Sequence, residues 1–131
     1  MFLSNYFQKR ALKKSNDACL NAAYRGDFQT VLGMVDQGTD VNLTGTATRW
    51  LDHKGNSLNV PMCLGFAAII KRNAKALEAL LNRNMNANIV LAGKPLLMHA
   101  LEARFESGAE MLLAHGARSD YIRQDLETPL S

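Results

Sequence analysis

Three histidines, two cysteines and a set of glutamates are the residues whose types could do chemistry here, and their spacing argues against it. His53, His99 and His115 fall 46 and 16 positions apart. They lack both the short intervals of a metal motif and a surrounding cluster of cysteines or carboxylates. Glu102, Glu106 and Glu110 recur at every fourth position, which a solvated helical face explains better than paired acid–base work. Cys19 and Cys63 both fall within predicted first helices among apolar neighbours, the setting of reduced core thiols. Gly-rich phosphate loops, nucleophile elbows and Ser/His/Asp sets are not apparent. The expectation is a protein that is not an enzyme, with no catalytic residue, metal or cofactor.

The remaining chemistry is recognition, and apolar periodicity supplies the elements that would present it. Ala22-Ala23-Tyr24-Arg25-Gly26-Asp27-Phe28 runs on through Val31, Met34-Val35 and Gly38 to Asp40-Val41-Asn42. It reads as a helix, a tight turn, a second helix and a glycine exit. Ser15, Asn16 and Asp17 are good N-cap residues, so a helix is expected to start beside them, with Ala18 to Tyr24 first and Phe28 to Gln37 second. Leu20, Ala22, Phe28, Val31, Met34 and Val35 are the expected core. Equivalents of Gly38 follow at Asn84 and Gly116, 46 and then 32 positions further on.

This stretch resembles the second half of an ankyrin repeat, Ala-Ala-x-x-Gly-His-x-x-x-Val-x-x-Leu-Leu-x-x-Gly-Ala-Asp-Val-Asn. Gly26, Val31, Gly38, Asp40, Val41 and Asn42 fall in register, with Asp27 in place of the His and Thr39 in place of the Ala. Against the family period of about 33 residues, the first interval is 13 longer and the second one shorter. The resemblance implies an all-α fold, an ankyrin-repeat solenoid of paired antiparallel helices with β-turn or hairpin fingers, the first finger enlarged. Repeats are expected near 15–44, 52–88 and 89–120, with a partial fourth at 121–131 and an N-terminal cap at 1–14.

Within that frame, Asp52-His53-Lys54-Gly55-Asn56-Ser57 resembles the family's Asp-x-x-Gly-x-Thr turn. Val60-Pro61-Met62 would replace Thr-Pro-Leu about three residues early, implying a first helix longer by roughly one turn. Ala74 to Arg83 follows as a helix with Leu77, Leu80 and Leu81 inward, and Asn84 replaces the exit Gly. Ile89 to Lys94 reads as a finger, and Pro95 to Leu101 as a helix with Ala100 in register. His99 lies near the family's structural His. The next helix, Glu106 to His115, contains Gly108, which costs about 1 kcal/mol relative to Ala. Thr128-Pro129-Leu130 resembles the opening of a further repeat; its absence would expose the face around Leu97, Leu101 and Leu112, a homodimer or partner contact.

Composition agrees with one small domain: 131 residues, 47% hydrophobic, can bury one core. There is no run of about 18 apolar residues and no signal-peptide pattern, so a cytoplasmic location is expected. The net charge of +3 is small and sits largely in Lys9-Arg10 and Lys13-Lys14, which argues against nucleic-acid binding. Residues 1 to 14 read as an amphipathic helix with Phe2, Leu3, Tyr6, Phe7 and Leu12 on one face. It either caps the array or docks on a partner or a membrane surface.

The family resemblance implies binding of another protein through a concave surface and the fingers. The candidate partner-binding residues are Tyr24, Arg25, Arg49, Trp50, His53, Lys54, Leu91, Lys94, Arg123 and Gln124. Trp50 is either an exposed anchor, as tryptophans at binding hot spots are, or a local plug folded onto the stack. A stoichiometric inhibitor, such as an immunity-type protein of a bacterium, is one form such a module takes. The alternatives are an N-terminal piece of a longer array with a structural role, or a membrane-surface binder acting through residues 1–14.

Overall fold

The same pair of turns recurs three times along the chain, and the hydrogen bonds that close them are the same each time. The computed structural model describes residues 2–118, with side chains from Arg10 onward. The Thr128-Pro129-Leu130 segment and the candidates Arg123 and Gln124 therefore lie outside the described residues, as do the side chains of Phe2, Leu3, Tyr6 and Phe7. Among the described residues, six helices form three successive antiparallel pairs: α1 (Phe2–Arg25) with α2 (Phe28–Asp36), α3 (Leu64–Ile70) with α4 (Ala74–Asn82), and α5 (Leu96–Glu102) with α6 (Glu106–Ala114). Between the helices of each pair, Asp27 N donates to Ala22 O, Asn73 N to Ala68 O and Phe105 N to Ala100 O, each at 2.9 Å. The residue just before, Gly26, Arg72 or Arg104, takes the left-handed conformation at φ 85°, 52° and 56°. At the exit of each second helix, Gly38, Asn84 and Gly116 are left-handed, and the following N–H reaches back five residues, Thr39 to Met34, Met85 to Leu80 and Ala117 to Leu112. That is a Schellman ending, which satisfies the last carbonyls.

The pairs stack in two layers, α1–α3–α5 against one another and α2–α4–α6 behind them. Ala22, Ala23, Ala67, Ala68 and Ala100 are all buried on the first layer, where the absence of a longer side chain lets helix axes approach. Leu20, Leu64, Ile69, Leu77, Leu80, Leu96, Leu97 and Leu112 fill the space between layers. Polar contacts tie successive pairs at their ends. Asn42 Oδ1 accepts from Asn86 N at 2.6 Å, and Asn88 Oδ1 accepts from Arg118 N at 2.8 Å while its Nδ2 donates to Gly116 O. Arg83 donates to both oxygens of Asp36, and Arg72 to the carbonyls of Ala103 and Arg104.

The expected all-α class is wrong: the molecule is mixed, with two small antiparallel sheets between the helix pairs. β1 (Thr44–Trp50) pairs with β2 (Ser57–Cys63) from Thr44↔Cys63 to Trp50↔Ser57. β3 (Val90–Leu91) pairs with β4 (Lys94–Pro95) across Ala92-Gly93, both at positive φ as a type I′ turn requires. The physical reason is in the residues of the first hairpin. Thr44, Thr46, Thr48 and Trp50 alternate along one strand, and Leu58, Val60 and Met62 along the other, a period of two with β-branched and aromatic side chains. Pro61 is tolerated because Thr48 N leaves the ladder to donate to Asn21 Oδ1. The Thr48↔Asn59 pair is thus a non-hydrogen-bonded one, and so, two residues on, is Thr46↔Pro61.

Four smaller expectations are also corrected. Ser15, Asn16 and Asp17 do not start a helix: α1 is continuous over 24 residues, since three weak helix formers cost only a few tenths of a kcal/mol each where no Gly or Pro intervenes. The first helix of the second pair is not extended; α3 has seven residues, as α5 does, because Val60 to Met62 belong to β2. Cys63 is not within a helix but caps α3, its Sγ accepting from Phe66 N at 3.4 Å. Leu97 and Leu112 are fully buried against α3 and α4, and only Leu101 of that trio is exposed.

Asp27 and Asn73 cap their helices through side-chain oxygens, whereas the equivalent Phe105 has no cap bond and is buried instead. Its ring lies where a Cβ on Gly108 would be, 2.4 Å from Phe105 Cδ2. A Gly108→Ala change gains about 1 kcal/mol of helix propensity but overpacks a closed contact at a typical cost of about 1–3 kcal/mol. Net destabilisation of about 1 kcal/mol is expected in urea unfolding. Adding Phe105→Asn, which removes the ring and restores a cap, should turn Gly108→Ala from a loss into a gain relative to Phe105→Asn alone.

Candidate partner-binding face

The end of α1 and the β1–β2 hairpin enclose a cleft because three contacts fix the hairpin at its base. A Cβ on Gly45 would meet Leu20 Cδ1 at 2.8 Å, so glycine lets the strand lie directly on the helix. Asn21 Nδ2 donates to Asp17 O, which orients the amide so that its Oδ1 receives Thr48 N at 2.9 Å. Ala47 is buried beneath the strand. Beyond these contacts the hairpin rises clear of the stack. A cleft of about 670 Å³ opens there, lined by Ala18, Asn21, Tyr24, Arg25, Thr48, Arg49 and Trp50.

Four of the ten candidate residues, Tyr24, Arg25, Arg49 and Trp50, therefore meet at one site although they are split between a helix and a strand. Trp50 is 66% exposed, so it is not folded onto the stack as a plug. Leu51 follows it in the chain and Leu58 pairs with Arg49, and both are also exposed near the hairpin end, at 53% and 50%. Tyr24 is half-buried, with Lys71 Nζ 6.0 Å from its ring centroid.

Tyr24 and Arg49 also border a second depression of about 310 Å³, whose other walls are Val60, Pro61, Met62, Phe66, Ile70, Leu91 and Ala92. It runs between the large hairpin and the β3–β4 turn. Leu91 reaches this site as a buried wall rather than an exposed contact. None of the described residues lining either cleft is acidic. A third cleft of about 300 Å³ carries both signs of charge, with Lys13 and Asp17 among its walls.

The other described candidates lie apart from these clefts. His53 and Lys54 occupy the loop at the hairpin end, and Lys94 is held by Glu102 at 2.6 Å. His99 joins α5 to the second finger: its Nε2 donates to the Leu91 carbonyl at 2.8 Å, and its ring meets Phe66 edge-on at 4.8 Å. His115 follows α6 at its C-cap. Among the described residues no three His, Cys, Asp or Glu side chains are grouped as a metal site would need. Burial raises the thiols of Cys19 and Cys63, the latter partly offset by hydrogen bonds from the Phe66 and Gly65 amides. Among the described residues no helix is long and apolar enough to cross a membrane. No family model, curated protein or solved structure matches the chain.

What sequence reasoning missed is the role of Asp52. Its carboxylate accepts from the Asn56 side chain at 2.7 Å and from the backbone N–H groups of Lys54 and Asn56, while Leu51 N donates to Asn56 O. The loop that holds Trp50 is thus wound around one side chain. The spacing Asp52-x-x-Gly55-Asn56 carried the turn signal, and only the pairing of its flanks was unread.

Those bonds hold the Asp52 carboxyl below the usual carboxylate range, the Asn56 side chain contributing most. Asp36 beside Arg83 and Glu102 beside Lys94 are lowered likewise. A lowered folded pKa means that the unfolded chain binds more protons, so the contribution is complete above the unfolded carboxylate value of about 4 and fades as pH falls through the folded ones. Denaturation midpoints should therefore fall with acidification below about pH 4. Asp52→Ala should act mainly on the loop at neutral pH: faster amide exchange at Lys54 and Asn56, with only a small fall in the helix unfolding midpoint.

Proposed function

We propose that this chain is a non-catalytic protein-interaction module, related to the ankyrin-repeat proteins, which holds one protein partner on the face between the end of α1 and the β1–β2 hairpin. The observation that supports this reading is an exposed Trp50 set beside Tyr24, Arg25 and Arg49 on a cleft whose base is fixed by Leu20, Asn21 and Ala47. A tryptophan left in water on a braced strand loses little conformational entropy on binding and has much apolar area to bury, the profile of a hot-spot residue. The arginines at the rim supply charge complementarity. Nucleic acid is not the partner proposed, since the net excess of three positive charges is small for a phosphate-tracking surface.

A cytoplasmic setting suits two buried free thiols. The most specific form of the proposal is a stoichiometric inhibitor of the immunity type, in which a small rigid module occludes the working surface of another protein. The resemblance of Gly26 to Asn42 to an ankyrin repeat supports the module reading but names no partner.

The test is a comparison of Trp50→Ala with His53→Ala, a neighbour on the hairpin that lines neither cleft. Both proteins are used as bait in native lysate, and captured proteins are quantified by mass spectrometry. A partner held by the parent chain and by His53→Ala but reduced tenfold or more in Trp50→Ala supports the reading. Because Trp50 is mostly exposed, its removal should change folding stability by less than about 0.5 kcal/mol. Equal capture by all three proteins would remove Trp50 from the interface.

A further inference from the structure

Some of the described cations are held by the fold and others are not. Arg72 is spent on the carbonyls of Ala103 and Arg104, Arg83 on Asp36 and Lys94 on Glu102, all contacts that hold the molecule together. Arg25 and Arg49 have no hydrogen-bond or carboxylate partner among the described residues, though both are exposed on the large cleft. Lys71 adds a third positive charge beside Tyr24. With no Asp or Glu among the described residues on the walls of either cleft, the charge that these residues place there is positive.

Next to these charges lies the 310 Å³ depression, walled mainly by Val60, Met62, Phe66, Ile70 and Leu91. That volume is at the bottom of the range for small-molecule sites, about 300–1,000 Å³. It suits a side chain or two rather than a whole ligand. Arg49 and Tyr24 stand on the boundary between the two clefts, so an apolar side chain entering the smaller one brings its chain neighbours within reach of cations. Strand addition is a poor way to bind here. Asn21 already occupies the Thr48 N–H on the outer edge of β1, and Pro61 removes a donor from the outer edge of β2. Side chains must then hold the ligand.

We propose that the partner presents an extended acidic peptide segment, one large aliphatic or aromatic residue flanked by Asp or Glu, with the apolar side chain in the depression bordered by Phe66 and Ile70 and the carboxylates on Arg49 and Arg25. Arginine is suited to that task because its planar guanidinium takes a carboxylate bidentately. Trp50 closes over the segment from the hairpin side. This inference rests on the module reading above and names the chemistry of its partner.

Trp50 is the single tryptophan of the chain, so its fluorescence reports directly on the site. The probes are synthetic peptides of about nine residues with a central Leu or Phe, flanked by glutamates, by glutamines or by lysines, and a single-stranded oligothymidylate. The glutamate peptides are expected to blue-shift Trp50 emission and to bind at least tenfold more tightly than the glutamine peptides, with affinity falling as salt rises. Arg49→Glu and Arg25→Glu should each lose tenfold or more, and Arg49→Glu should gain for the lysine peptides, a reversal that a merely damaged fold cannot produce. Glutamine or lysine peptides binding the parent chain as tightly as glutamate ones would overturn the acidic assignment. So would an oligothymidylate that outcompetes them, or no binding of the glutamate peptides at millimolar concentration. If the lysate experiment still yields a Trp50-dependent partner in those cases, the module reading stands and only the chemistry assigned to its partner falls.

Discussion

A seven-residue helix has too few internal hydrogen bonds to persist alone in water, and α3 and α5 are both that short. They exist because each is covered, α3 by α1, α4 and α5, and α5 by α3 and α6. Stability in this chain is therefore a property of neighbours rather than of elements, as in stacked-repeat architectures generally. The alanines follow from it: the carbonyls of Ala22, Ala68 and Ala100 accept from the N–H of the interhelical turn at the same position in each pair, and their small side chains keep the first layer close. The turns follow too. Arg72 and Arg104 accept a left-handed backbone, which costs an L residue about 1–2 kcal/mol, and Arg72 offsets part of that by bonding to the next turn.

The hairpin obeys a different logic. A two-stranded sheet is marginal in water, and Trp50, Leu51 and Leu58 at the outer end of β1 and β2 are exposed. Its base is borrowed from the stack through Leu20, Asn21 and the buried Ala47, and its end is closed by Asp52. Between those anchors the strand is braced without being buried. Trp50, Leu51 and Leu58 can therefore remain exposed together without collapsing onto the core. The edges that would invite another strand are blunted by Asn21 and Pro61, so exposure does not become aggregation by edge pairing.

How much of this was legible follows from where the signals are local. Gly26, Gly38 and Gly116 sit at positive φ, so each marks its turn directly, and Asn84 could be placed because asparagine tolerates the same conformation. Leu77, Leu80 and Leu81 were readable by helical spacing. Ser15-Asn16-Asp17 misled because capping preference is a weak force against a helix continuous on both sides. The Thr44–Trp50 stretch was legible only as part of an enlarged finger, because its alternation is carried by threonines and becomes a strand once Ser57–Cys63 is placed opposite. Cys63 misled because a sulfur acceptor is a rare helix cap. The site was half legible: residue type suggested Tyr24, Arg25, Arg49 and Trp50, but their meeting depends on Gly45 lying on Leu20, a contact between residues 25 positions apart that no local pattern contains.

The division of labour among the charges is what connects the fold to its face. An arginine held by a carbonyl or a carboxylate contributes to stacking and is unavailable to a partner; one left in water costs nothing in the free protein and is desolvated only when a partner arrives. Arg72 and Arg83 join successive helix pairs, whereas Arg25 and Arg49 sit on the side from which the hairpin projects. The arginines that join successive helix pairs are thus held by the fold, while Arg25 and Arg49, beside the exposed tryptophan, have no partner among the described residues. Because the hairpin is fixed at its base and wound around Asp52 at its end, the backbone that carries that charge and that ring is ordered in folding. For the partner we propose, only the side chains, which no contact among the described residues holds, are left to be ordered at the interface.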